Sequence, residues 1–208
     1  QDAAHAYGVE IVGGHSLSLN QPMIAVEVEG ECARSVHKDG AMAGDELWIT
    51  GPVGSGILFA ALASGFTIGA SIDQWVTNAL KSLFEASQTA AREGVNAMTD
   101  VTGFGLAGHL REMLSWNNLD IQWEEKIVTF SGVDECIARG IHSTAYSDNA
   151  RYAQQIGYQA PSPVVFDPQT CGPLLIAAPP EIARRVVQTW EESGLLPQQV
   201  GVVTTETS

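Results

Sequence analysis

The chain has 208 residues, enough for one domain with a sizeable core. Its hydrophobic share of 45% and charged share of 16% suit a globular protein, and no apolar run approaches the roughly 20 residues a membrane helix needs. The net charge is −14 and the ten Lys and Arg are scattered, which argues against nucleic acid as the partner, because a phosphate backbone needs a concentrated cationic footprint.

A nucleotide ligand stays compatible with that charge, since helix N-termini, Gly-rich backbone and metal ions hold phosphate without net positive charge. The three cysteines, Cys32, Cys136 and Cys171, are too few and too widely spaced for a disulfide framework or a zinc site. They point to a reducing, cytoplasmic compartment. The first residues carry no initiator Met and no basic stretch before an apolar core, so the chain reads as starting inside a longer protein.

Residues 1–7 read as the tail of a helix ended by Gly8. Val9–Val12 reads as a short strand turning at Gly13-Gly14, and Met23–Glu29 alternates apolar and acidic residues as a strand with one wet face. Gly44-Asp45 marks a turn before a strand over Glu46–Thr50. The Gly-rich run Gly51–Gly56 leads into an all-apolar, buried helix over Ile57–Ser64. It lacks the Lys of a P-loop and reads as a tight strand–helix connection. Trp75, Ala79, Leu83, Ala86 and Ala90 give helical spacing across Ile72–Arg92, closed at Gly94.

Asn96–Val101 reads as a buried strand, Thr102–Gly105 as a second Gly-rich turn and Leu106–Trp116 as a helix. A strand over Ile121–Glu124 and a short helix over Gly132–Arg139 follow. Residues 141–163 show little periodicity and read mostly as loop. Asp167–Pro173 is a third turn, before a strand over Leu174–Ala177, a helix over Glu181–Ser193 and a last strand over Val200–Thr204. Alternating short strands and amphipathic helices predict an α/β (α+β) domain, with helices packed on a mixed sheet.

Chemistry concentrates in Met98–Leu110. A buried strand ends in Asp100, and Gly103 and Gly105 follow before a helix opens. Carboxylates at the C-terminal edge of a strand sit where α/β proteins bind ligands, glycines let backbone approach a phosphate, and a helix N-terminus favours anions. A lone carboxylate there suits a hard cation such as Mg²⁺ bridging to nucleotide phosphates. The same pattern also fits an Asp that merely caps the helix. Gly13-Gly14-His15 fits a simple turn. His109 reads as a partly buried, hydrogen-bonded histidine, with a place facing the site as the alternative, Asp167 as a turn former, with a ligand role as the alternative, and Cys171 as a small buried residue. The five tryptophans, Trp48, Trp75, Trp116, Trp123 and Trp190, read as packing.

The string Thr99-Asp100-Val101-Thr102-Gly103-Phe104-Gly105-Leu106-Ala107-Gly108-His109-Leu110 closely resembles the signature of the selenophosphate synthetases (selenide, water dikinases) of the aminoimidazole ribonucleotide synthetase superfamily. Gly13-Gly14-His15-Ser16, Gly44–Leu58 and Asp167-Pro168-Gln169-Thr170 resemble further motifs of that family, so the likeness spans essentially the whole chain. It implies the C-terminal domain fold of that superfamily over residues 16–208, with 1–15 a remnant of the N-terminal ATP-binding domain and its connector. The implied reaction turns ATP, selenide and water into selenophosphate, AMP and phosphate. Asp100 is implied to bind Mg²⁺ against the ATP phosphates, and Gly13, Gly14 and His15 to contact ATP, in a homodimer.

The family's reactive Cys or selenocysteine, its essential Lys and its other metal-binding aspartates belong to the N-terminal domain. No catalytic residue is therefore expected in this chain, which should fold alone but be inactive. The sequence departs from the family at Cys171, where Ser is usual, at Gly172-Pro173, where two glycines are usual, and at Gly51, which often is Lys. Two other readings remain: a non-catalytic binding or regulatory module of a fusion protein, and an ATP-dependent kinase for another small molecule.

Overall fold

The computed structural model describes residues 2–32, 34–66, 69–114, 118–154 and 160–205. They fall into two compact units, Gln1–Ala33 and Arg34–Ser208. The first holds helix α1 (Asp2–His5) and otherwise irregular backbone. The strands expected over Val9–Val12 and Met23–Glu29 are absent there. Alternation sets which side chains share a face, but a strand exists only when a neighbour takes up its N–H and C=O groups. Among the described residues no such neighbour is present, and Ile24 is 91% exposed.

The second unit is built on a five-stranded sheet of order β2-β4-β1-β5-β3. Its strands are β1 (Glu46–Ile49), β2 (Ala97–Asp100), β3 (Leu119–Trp123), β4 (Leu174–Ala178) and β5 (Gln198–Thr205). The α/β class with packed helices is as expected. Every ladder of the sheet is antiparallel, and among the described residues parallel pairing is confined to an isolated bridge between Val53 and Thr129.

Interior strand β4, between β2 and β1, is apolar at all positions and buried on both faces. Leu175 and Ala177 face a core shared with Leu47, Ile49, α2 (Ser55–Ala63) and α5 (Gly105–Leu114). Leu174, Ile176 and Ala178 face a second core with α4 (Phe84–Glu93) and α8 (Pro180–Glu192). Trp190 of α8 is 1% exposed, and its indole N–H donates to Ala86 O at 3.2 Å. Pro180 opens α8 where a missing N–H costs nothing. Among the described residues no helix is long and apolar enough to cross a membrane.

Two helix assignments differ from the sequence reading. The segment Ile72–Arg92 forms two helices, α3 (Gly69–Ala79) and α4, broken where the Ser82 hydroxyl accepts from the Phe84 N–H at 3.2 Å. Serine competing for backbone in this way ends helices locally. Residues 141–163, expected as loop, contain α7 (Tyr146–Gln154), which follows α6 (Val133–Ala138), and a 3-10 turn (Pro163–Phe166) begins at their end. Tyr146, Ala150 and Ala153, spaced four and three apart, pack α7 on the core. The helix from Gly105 is described to Leu114; the tail of its expected range, with Trp116, lies outside the described residues.

Candidate functional site

Asp100 closes β2 and is exposed, as the sequence reading placed it. Its backbone is fixed opposite Leu174, and the next residue, Val101, donates to Pro173 O at 2.9 Å. The Asp100 carboxylate takes no hydrogen bond among the described residues. It does not cap α5. The strand edge therefore presents a bare carboxylate beside the turn Thr102–Gly105.

That turn is tied from below. The Thr102 N–H donates to His109 Nε2 at 2.9 Å, and Thr102 O accepts from Gln169 N at 2.9 Å and Gly105 N at 3.0 Å. Gly105 has φ +69, and a Cβ there would meet Val165 O at 2.8 Å and Asp167 O at 2.9 Å. Only glycine serves both that backbone and that approach. Asn149 reaches in from α7: its Nδ2 donates to Gly103 O at 3.0 Å and to Phe166 O at 2.9 Å. Phe104 is 58% exposed, and among the described residues the Gly103 and Phe104 N–H groups take no acceptor.

His109 is 6% exposed, and burial holds its pKa below the ordinary value of 6.5. The charges of Glu112 and Asp100 pull the other way, while that of Lys38 adds to the lowering. Accepting at Nε2 requires the neutral ring with its proton on Nδ1, which lies 3.7 Å from Glu112 Oε2. His109 is thus a structural acceptor under the Asp100 turn.

The Gly-rich run before α2 has the opposite character. The Gly56 and Ile57 N–H groups donate to Asp167 Oδ2 at 2.9 and 3.2 Å. The Gly54 and Ser55 N–H groups donate to Gln169 Oε1 at 2.9 and 3.3 Å. The α2 N-terminus is therefore filled by the chain's own side chains. Asp167, read from sequence as a turn former, is fully buried. Burial pushes its pKa up to about 7, against the N–H groups of Ile57 and Gly56 and the Gln169 amide. The Ser143 hydroxyl is near enough to help without reaching hydrogen-bond geometry, and among the described residues Oδ1 has no partner.

Cys171 corrects its sequence reading: it is exposed, with φ +49, and the following Gly172 packs on Val101 O. A positive φ is uncommon for a residue with a Cβ, and here it falls in an exposed turn. Gly13, Gly14 and His15 lie in the first unit, exposed and outside regular structure. Among the described residues no three His, Cys, Asp or Glu side chains gather as a metal cluster. A solitary carboxylate fits Mg²⁺, which commonly takes one or two protein carboxylates and completes its shell with phosphate and water.

Residues 42–208 match the family model described as AIR synthase related protein, C-terminal domain. The chain is 32% identical over 206 residues to a selenide, water dikinase of Haemophilus influenzae strain 86-028NP, covering 96% of this chain and 59% of that protein. It is 32% identical over 197 residues to one of Burkholderia ambifaria, covering 90% and 55%. It thus spans about three-fifths of the length of the curated relatives it matches. In fold it resembles the hydrogenase maturation protein HypE in complex with ATP, with TM-score 0.59 and 17% identity over 82% of this chain and 45% of that one. It also resembles thiamine-monophosphate kinase from Stenotrophomonas maltophilia, with TM-score 0.57 and 17% identity over 85% and 52%.

Proposed function

The chain belongs to the AIR synthase related protein family, and on that premise we propose that it is the C-terminal part of an ATP-dependent selenide, water dikinase. The observation that carries this reading is the bare Asp100 carboxylate at the end of β2, set beside an open Gly turn inside the stretch Thr99–Leu110. Similarity to selenide, water dikinases along nearly the whole chain supports it.

In this reading Asp100 is one protein ligand of Mg²⁺, and the Gly103–Phe104 backbone faces the phosphates of ATP. When bound, the metal neutralises phosphate charge. The chain's own residues do the rest by position. β2 and β4 fix the Asp100 backbone, and His109 and Gln169 fix Thr102. Phosphoryl transfer depends mostly on such positioning and charge neutralisation. Gly13, Gly14 and His15 contact ATP in the site of the partner subunit, residues 1–15 join the ATP-binding half, and the complete protein acts as a cytoplasmic homodimer. The groups that react with selenide lie in that other half, so the chain alone turns over no ATP.

The test is selenide-dependent AMP formation by the complete protein, wild type against Asp100→Ala. Loss of about a hundredfold or more, with the fold intact, is expected for a group that orders phosphate charge. A silent wild type would leave only a family fold serving as a binding module. Turnover of another substrate would point to a different small-molecule kinase.

A further inference from the structure

We propose that Asn149 is a positioning residue, which holds the Gly103–Phe104 backbone in the orientation that receives nucleotide phosphate. The proposal deepens the reading of Asp100 and rests on it. Its ground is the way the turn is held. Asp100 and Val101 are fixed by β4 and the residues before it, and Thr102 by His109 and Gln169. Gly105 is wedged against the carbonyls of Val165 and Asp167. Between these anchors Phe104 packs beside His109 and Gly108, and among the described residues the one hydrogen bond to the Gly103 carbonyl comes from the Asn149 side chain.

Both hydrogens of one amide are used, one on Gly103 O and one on Phe166 O, so the group bridges the turn to the 3-10 segment. Gly103 carries no side chain and is exposed, so no packing of its own holds that peptide plane. Drawing the Gly103 carbonyl inward turns the N–H of the same peptide, that of Phe104, outward to the open side. A peptide amide directed at a phosphate contributes only when it is held in advance. Asn149 supplies that restraint without touching ligand. An aspartate of nearly the same size would place oxygen against two carbonyls, reversing attraction into repulsion.

The experiment uses the complete protein with Asn149→Asp, Asn149→Ser and Asp100→Ala. Three quantities are read: ATP affinity by calorimetry, kcat and KM for ATP, and amide exchange at Gly103–Gly105. For Asn149→Asp we expect exchange to quicken in the turn and ATP affinity to fall about tenfold, the loss of one charged-acceptor hydrogen bond. KM should rise more than kcat falls, and thermal stability should fall as well, because the bond to Phe166 O is lost with the one to Gly103 O. Asn149→Ser, which has no repulsive oxygen pair, should fall between, and it decides the matter if the aspartate variant does not fold. Unchanged ATP affinity with faster exchange in the turn would overturn the proposal. Asp100→Ala with full activity would instead overturn the metal-ligand reading, whatever Asn149 does.

Discussion

Two acidic turns stand in the same unit, and they use the same side chain in opposite ways. Asp167 is buried and gives its carboxylate to the α2 N-terminus, taking N–H groups of Gly56 and Ile57. Asp100 is exposed and gives its carboxylate to nothing among the described residues, although α5 begins only five residues later. One helix N-terminus is closed by the protein itself, the other is open. The difference teaches that a Gly-rich turn before a helix marks an anion site only when no neighbouring side chain has already occupied it. The decisive partners are distant in sequence: Asp167 lies 111 residues from Gly56.

The largest expected effect on stability is at the closed turn. Asp167→Ala strands the Ile57 N–H and takes one of the two acceptors of the Gln169 amide in a buried place. We expect a loss of about 3 kcal/mol in urea unfolding of this chain, since an unsatisfied buried donor costs its full desolvation. Asp167→Asn sharpens the point. An amide oxygen can accept the same N–H groups, and it mimics the protonated acid. Because burial raises the Asp167 pKa to about 7 from an ordinary 3.8, the folded protein holds a proton that the unfolded chain has released. That contribution is whole below pH 4 and is lost as pH rises through about 7. The asparagine variant should lose this slope, and at pH 7 it should match or exceed wild type. A slope that persists in Asp167→Asn would assign it to another group.

A smaller effect, of opposite sign in pH, is expected under the open turn. His109 has its pKa lowered by burial, so the folded state binds fewer protons than the unfolded chain. Its contribution is whole above pH 6.5 and drains as pH falls through the lowered value. Protonated Nε2 would face the Thr102 N–H, donor against donor. His109→Gln, with a neutral acceptor in reach, should cost about 1 kcal/mol at pH 7 and remove the acid-side loss. If the variant and wild type lose stability in parallel below pH 6, the histidine does not hold the turn.

The contrast between the turns was only half legible in the sequence. The Asp100 turn could be read because its elements are contiguous: apolar strand, carboxylate, two glycines, helix. β1, β4 and β5 were likewise marked by apolar runs between turns. The closure of α2 was hidden, because Asp167 and Gln169 look like ordinary turn residues until the fold brings them to Gly54–Ile57. Asn149 sat in a stretch read as loop. The signal for its helix was present in Tyr146, Ala150 and Ala153, but one aromatic and two small alanines weigh little against their polar neighbours. The strand patterns over 9–12 and 23–29 misled for the converse reason, since alternation carries no information about whether a partner strand is at hand.

The smallest expected stability effect belongs to Asp100, and it tests the comparison most directly. If its carboxylate is unengaged within this unit, Asp100→Ala should change the unfolding free energy of this chain by no more than about 0.5 kcal/mol, the range of surface substitutions. Removing an acid near a helix start even withdraws a weak dipole interaction, which is worth a few tenths of a kcal/mol in the destabilising direction. A loss above about 1 kcal/mol would mean that Asp100 caps α5 after all, and the two turns would then be alike. A near-zero change, together with lost activity in the complete protein, would separate the roles. A carboxylate that contributes nothing to folding, yet is needed for turnover, is held at that strand edge for what it binds.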